Sequence, residues 1–501
     1  MRFAGLFLLL LASCADHPAP ARTPAPLPPA PAPPPVAPAP PPVPPIVALR
    51  ETWSDTCTLT GKAPKACDLQ AAAVANDGML VVGGGSYDAF SLGGANHPKR
   101  SYEQLLLVAY DAAGKPLWSH AWGTQWHNLV DDALFIGSRI VITGTHANGF
   151  DAGGKRIPDR PYNHVAGQDT AFEAETSFVA SLDRDGKVQW ARNVADLVGL
   201  PATTAVSTGI GYGNPKIFPD RQDGFWLAFT AADPALQIVH VSGEQVVARR
   251  SVLLPKLDPV PGRSAWIDED GNLMLVGIPA WVAGNTTRSA FLYRFDTAGQ
   301  GRATPLASWP VSTGPQDNRR LPFTQLGVAL RPDGTGGAYV AIMVQALQDS
   351  IKTASIRYQH VNDSGVLVVD RPVMAPVSWQ ATGPDAFSLR GMTVPDDGWP
   401  RIVLHQRVVL QLDGVSLAPT SFGASYGVPS GTLTVVSLAP DGSAMNSVAT
   451  LAPAPCVKLR PDSVRAVFAA GSATFLLGGA SKLPGCWDGR PADGAVSRIE
   501  P

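Results

Sequence analysis

Charge is scarce in these 501 residues. Asp, Glu, Lys and Arg make up 16% of the chain, below the roughly 25% of an ordinary soluble protein. The 39 basic and 41 acidic residues leave a net charge of −2. This excludes a polybasic nucleic-acid arm and leaves no strong field to steer a charged partner, so no nucleic acid is expected among the partners. Long hydrophobic runs are lacking too. The longest apolar stretch follows Arg2, from Phe3 through Leu8 and Leu11, and falls short of the roughly 20 residues that span a bilayer. Cysteine is sparse, at five. Long helical periodicity is missing after residue 46, which excludes a helical bundle. Gly-x-Ser-x-Gly, His-Glu-x-x-His, a phosphate loop and a dinucleotide fingerprint are all absent, so no catalytic residue and no cofactor is nominated.

Glycine and proline are abundant, at 49 and 48. Much of the proline lies in Pro18–Pro45, which holds 16 prolines in 28 residues with little else but Ala and Val. Proline fixes φ and removes a donor, so this stretch extends as polyproline II. At about 3.1 Å per residue it spans on the order of 85 Å. A spacer is expected here, with an SH3-type ligand the alternative.

The N-terminus reads as an export signal: one positive charge, a short apolar core and small residues at its end. Its end, Leu11-Ala12-Ser13-Cys14, resembles the lipobox of bacterial lipoproteins. That resemblance implies cleavage before Cys14 and acylation of Cys14, the palmitate-bearing first residue of the mature chain, with the lipid as membrane anchor. Ala15 is not the acidic residue that commonly retains such proteins at the inner membrane, so an outer-membrane location is expected. The expected division is 1–13 signal peptide, 14–45 lipidated tether and 46–501 folded domain.

The remainder repeats. A first half-unit reads strand, acidic-glycine turn, strand, as in Ala73 to Gly83 around Asp77-Gly78. It recurs around residues 136–138, 223–224, 270–271, 333–334, 397–398 and 471–472. A second half-unit follows each, clearest as Leu107 to Trp118 and Val179 to Trp190. The second strands are apolar throughout, which means burial on both sheet faces. First strands begin near residues 73, 133, 217, 265, 328, 392 and 466, roughly 66 apart on average, so each unit carries long loops. The last unit stops one strand short at Glu500. Ile46 to Trp53 resembles the missing strand. The expected fold is therefore all-β, a seven-bladed β-propeller closed by an N-terminal outer strand. Six or eight blades, or two packed sandwiches, are the competing versions. The tight turns should share one rim and the long connections the other, where binding is expected.

Cys57, Cys67, Cys456 and Cys486 are expected in long-rim loops beside the seam, paired as Cys57–Cys67 and Cys456–Cys486 in an oxidising compartment. Their spacing lacks the Cys-x-x-Cys of zinc sites. His120, His127, His146 and His164 cluster near the second unit, but their irregular spacing favours packing or solvent roles over a metal site. Asp68, Asp131, Asp132, Asp385 and Asp462 fall just before innermost strands and would ring the channel mouth, as a cation or sugar-hydroxyl site or merely as turn caps. The pairs Asp183/Asp185 and Asp268/Asp270 read as hairpin turns.

The second half-unit, with Asp-x-x-Gly between apolar strands and then Trp118 or Trp190, resembles two repeats. One is the β-propeller repeat of secreted bacterial proteins and lipoproteins, with a Gly-rich loop like Phe150-Asp151-Ala152-Gly153-Gly154. The other is the quinoprotein-type repeat, found also in the lipid-anchored propeller subunit of the outer-membrane assembly machinery. Tryptophan is replaced at Val247, Arg302, Val368 and Met445. The resemblance implies a fold and not a function. The expectation is a lipid-anchored binding or scaffold module for protein or polysaccharide. The alternatives are a channel-mouth enzyme, either a sugar-directed lyase or hydrolase or a quinone-dependent dehydrogenase, and a purely structural envelope protein.

Overall fold

The computed structural model describes residues 45–59, 67–99, 103–123, 128–146, 149–158, 176–201, 215–230, 235–258, 264–280, 287–310, 325–348, 351–380, 387–412, 415–419, 431–451, 459–470, 473–480 and 492–500. Seven antiparallel sheets form seven blades, as the repeat predicts. Blade 1 runs from inner to outer strand as Cys67–Val74, Leu80–Ser86, Gln104–Tyr110 and Pro116–Trp122. Blade 2 is Asn128–Ile136, Arg139–His146, Thr176–Leu182 and Val188–Asn193. The inner strands of blades 3 to 7 are Lys216–Pro219, Ala265–Ile267, Gln325–Pro332, Phe387–Thr393 and Leu459–Ala470. Leu80–Ser86, Gln104–Tyr110, Thr176–Leu182 and Thr432–Leu438 are buried at every position. Such runs are what a sheet covered on both faces demands.

Blade 7 is completed by the N-terminal strand Ile46–Leu59. Its residues from Arg50 pair antiparallel with Ala492–Glu500, Trp53 opposite Arg498 and Asp55 opposite Val496. This is the expected closure, with one refinement. Ile46 to Leu49 pair instead in parallel with Val448 to Leu451, the outer strand of blade 6, so one strand stitches two blades into a single sheet.

Trp53 sits in the seam between blades 7 and 1, 5.2 Å from Tyr110 and 6.3 Å from Phe475 between ring centroids. It leaves no room on Gly114 of the neighbouring turn, where an added Cβ would lie 2.4 Å from the indole. Gly114 has φ +81°, so glycine is required there twice over. Asp55 clamps the same seam by accepting hydrogen bonds from Tyr110 Oη (2.8 Å) and the Gly93 N–H (2.8 Å). Burial, with the Asp55 carboxylate second, pushes the Tyr110 pKa well up.

Cys57 and Cys67 are disulfide-bonded, with Cα atoms 6.0 Å apart. The pairing is as expected. Their setting differs, because both lie in strands and not in loops: the strand continues past Trp53 and brings Cys57 against the first residue of blade 1. Cys14, Cys456 and Cys486 lie outside the described residues.

Tight turns gather on one rim. Trp118 bridges the first junction: its Nε1 donates to the Arg184 carbonyl of blade 2 at 2.7 Å. Arginines bridge the remaining junctions, alongside Trp226 of blade 3, whose Nε1 donates to the Glu269 carbonyl of blade 4 at 3.4 Å. Arg139 reaches the Asp223 carbonyl of blade 3, and Arg250 reaches the Asp296 and Gly271 carbonyls of blade 4. Arg294 and Arg302 cap the Gly336 and 362–364 turn carbonyls of blade 5. Arg371 caps Gly442 of blade 6, Arg401 bonds Thr474 of blade 7, and Arg498 reaches Ala112 of blade 1. All seven junctions are bridged on this rim. A guanidinium suits the task because its rigid fork of donors can satisfy several turn carbonyls at once.

The Gly-rich loop at Phe150 is the tip of a small extra hairpin, Phe150–Ala152 with Lys155–Ile157. Equivalent hairpins occur at Phe90–Leu92 with Ala95–His97 and at Leu410–Leu412 with Val415–Leu417. Each packs against the outer strand of the preceding blade and buries its apolar residues there.

Candidate functional site

The inner strands of blades 1, 2, 6 and 7 share an irregularity. Each carries a β-bulge at the same level: Gln70 between Leu69 and Ala71, Asp131 between Val130 and Asp132, Arg390 between Leu389 and Gly391, and Arg465 between Val464 and Ala466. A bulge inserts one residue that the ladder leaves unpaired and re-aims its side chain. All four bulge residues are polar, on strands whose neighbouring positions are mostly apolar.

Glycines on the second strands make room for the bulges. Gly84 lies against the Asp68 carbonyl and Gly144 against the Leu129 carbonyl, each 2.0 Å from where a Cβ would stand. Both carbonyls belong to the residue two before the bulge. Gly478 occupies the same register position in blade 7.

The inner strands enclose an axial cavity of about 910 Å³, lined from blades 1, 2, 3, 4 and 7. Its polar wall holds Gln70, Asp132, Lys216 and Arg465. Asp68 forms an ion pair with Arg465 across the blade 7–blade 1 junction and accepts from Gln70 Nε2 at 2.9 Å. Lys216 Nζ donates to the Asp131 carbonyl at 3.0 Å, while Asp132 Oδ2 accepts the Ile217 N–H at 3.2 Å. Burial lowers the Arg465 pKa. The apolar wall is aromatic: Phe135, Phe218, Trp266 and Phe468, each on an inner strand near its tight-turn end. Phe218 meets Trp266 edge-on at 5.5 Å, and the Arg331 guanidinium lies 5.2 Å from the Trp266 ring centroid. Asn76, Asp77, Gly137 and Arg184 extend the lining to the tight-turn rim. There Arg184 donates to Asp77 and holds its carboxyl below the usual range.

Three of the five expected acids, Asp68, Asp131 and Asp132, thus lie within axial strands and not just before them; the Asp68 carboxylate meets a cation of blade 7, the Asp132 carboxylate a backbone N–H of blade 3, and Asp131 meets Lys216 through its main-chain carbonyl. Asp462 falls within the inner strand of blade 7, its side chain outside the described residues, as is all of Asp385. The expectation of binding on the long-loop rim meets a cavity that reaches the opposite rim. Much of the long connections lies outside the described residues. His120 packs between Trp118 and Trp122, at 5.1 and 5.0 Å, and bonds the Gly186 carbonyl; burial lowers its pKa. His146 is buried against Asn193 Oδ1 at 2.7 Å. Both are packing residues, and His127 and His164 lie outside the described residues. Among the described residues no three His, Cys, Asp or Glu side chains converge as a metal site. Asp183 and Asp268 cap their turns, as the spacing predicts.

Sequence reading missed the cations and aromatics of the channel. The signal was present in two forms. Glycines stand inside apolar second strands at Gly83-Gly84-Gly85, Gly144 and Gly478-Gly479, and an aromatic falls just before the tight turn at Phe135, Phe218, Trp266 and Phe468.

No family model matches the chain, and no curated protein matches it. Solved structures do. An ulvan lyase of polysaccharide lyase family 25 is 12% identical, over 89% of this chain and 94% of its own, with a TM-score of 0.40. Bacillus subtilis levansucrase is 9% identical, over 61% and 86%, with a TM-score of 0.29. Penicillium chrysogenum α-L-arabinanase is 11% identical, over 59% and 98%, with a TM-score of 0.24. Likenesses of this degree assign no activity.

Proposed function

We propose that the chain is a lipid-anchored, exported propeller, a binding or scaffold module of the cell envelope with a protein or polysaccharide partner. The observation that carries this reading is the state of two axial acids, Asp68 and Asp132. An enzyme at the channel would need a carboxylate held ready for acid, base or nucleophilic work. Asp68 is spent on Arg465 and Gln70, and Asp132 on a backbone N–H. Cys14 would carry the palmitate and residues 14–45 would form the spacer, on the outer membrane. Where the chain enters the ring, Pro45 accepts the Val448 N–H at the outer wall, so the entry point blocks neither channel mouth.

Two experiments test this. Cells expressing the full chain are labelled with palmitate and fractionated. Label in the outer-membrane fraction, lost in Cys14→Ser, is expected; equal label in the variant would refute the anchor. The purified chain is then screened on a glycan array and against purified envelope proteins. Saturable binding without turnover is expected. Turnover of a small substrate with no macromolecule bound would favour an enzyme.

A further inference from the structure

We propose that the axial cavity is a saccharide site, taking the end of a neutral sugar chain through the tight-turn mouth; this rests on the binding-module reading and narrows its partner. A sugar ring offers apolar C–H faces and a rim of hydroxyls that both donate and accept. A site for it needs exposed ring faces beside side chains of mixed donor and acceptor character. The cavity supplies these in two tiers. Nearest the mouth are Phe135, Trp266 and Phe468, half-buried and lining the open space, with Phe218 behind Trp266. Deeper, at the level of the bulges, are Gln70, Asp132, Lys216 and Arg465.

The charge arrangement selects against an ionic ligand. Arg465 pairs with Asp68, and Lys216 is held by the Asp131 main-chain carbonyl on the wall that also carries Asp132, so a carboxylate or phosphate entering here meets the Asp68 and Asp132 carboxylates as well as the two cations. Hydroxyl groups can both donate to the carboxylates and accept from the cations of such a wall. The volume, about 910 Å³, lies within the roughly 300–1,000 Å³ of small-molecule sites.

The test is calorimetric titration of the full-length protein with neutral oligosaccharides and with uronate-bearing ones of equal length. Neutral chains should bind, and Gln70→Ala and Trp266→Leu should each weaken binding at least tenfold, while Leu253→Ser, on an exposed outer-wall residue, changes nothing. Should Trp266→Leu fold poorly, saturation-transfer NMR from aromatic protons to the bound sugar, together with Gln70→Ala, carries the test. Binding of uronate chains alone, abolished by moderate salt, would overturn the assignment of a neutral ligand. Sugar binding unchanged in Gln70→Ala and Trp266→Leu would overturn the site and leave the binding module standing. Absence of all glycan binding would overturn the inference, and the module would then rest on a protein partner.

Discussion

Asp333 shows how much a single carboxylate can do in this ring. Its side chain is 3% exposed, accepts from His360 at 2.8 Å, and caps its own turn by taking the Thr335 and Gly337 N–H groups. Burial pushes its pKa up, but the hydrogen bonds from His360 and the turn outweigh it and hold the group at about 2. Asp220 repeats the arrangement in blade 3 with His240 at 2.5 Å. A carboxylate with a depressed folded pKa stabilises the fold above its unfolded value of 3.8, and that contribution disappears as pH falls through about 2. The shift corresponds to about 2 kcal/mol. Asp333→Asn should therefore flatten the fall in melting temperature between about pH 4 and pH 2, measured by circular dichroism. An unchanged slope would show that the turn holds without the charge. Gly144→Ala is a second residue-scale case. Its Cβ would stand 2.0 Å from the Leu129 carbonyl, which is backbone and cannot swing aside. Destabilisation of about 3 kcal/mol is expected from such overpacking, seen as a lowered denaturation midpoint.

At the scale of elements, the closing strand carries the ring. Trp53, Asp55 and Cys57 lie on one strand, and each engages blade 1. Asp55→Ala and Tyr110→Phe should be non-additive, because each removes one end of the same buried hydrogen bond; a double-mutant cycle should show a coupling of about 1–3 kcal/mol. Reduction of the disulfide should lower the melting temperature, since Cys57–Cys67 ties the last blade to the first. A Cys57→Ser/Cys67→Ser variant that melts like the oxidised protein would refute this. The arginine caps belong at this scale too. The tryptophan that ends the second half-unit is replaced at Val247, Arg302, Val368 and Met445. Nothing along the chain says that Arg250, Arg302 or Arg371 stands in, because a cap is defined by which turn of the next blade lies within reach.

At the scale of the whole molecule, the fold was legible and the site only partly so. The seven-fold recurrence of strand, acidic-glycine turn and strand is a local pattern, and so is the run of apolar second strands. Both follow from burial and turn chemistry within a few tens of residues, and a closed ring is what leaves the fewest open edges. Asp68, Asp131 and Asp132 are legible as axial because they stand next to innermost strands in sequence, although the strands begin earlier and include them. Their partners were not foreseen, because Arg465 and Asp68 are far apart in the chain and meet only when the ring closes. The parallel pairing of Ile46 to Leu49 with blade 6 was equally hidden, since it depends on where blades 6 and 7 lie relative to each other.

Composition and period alone determined the class of this protein: an all-β chain of seven repeats behind a proline-rich stretch, the last repeat short of one strand. Each of those features is set by neighbours in sequence. Tertiary structure decided which face of the disc the cavity reaches, which acids are neutralised, and which arginines bolt one blade to the next. These are contacts between residues tens to hundreds of positions apart, and their energies depend on distances that exist only once the ring is closed.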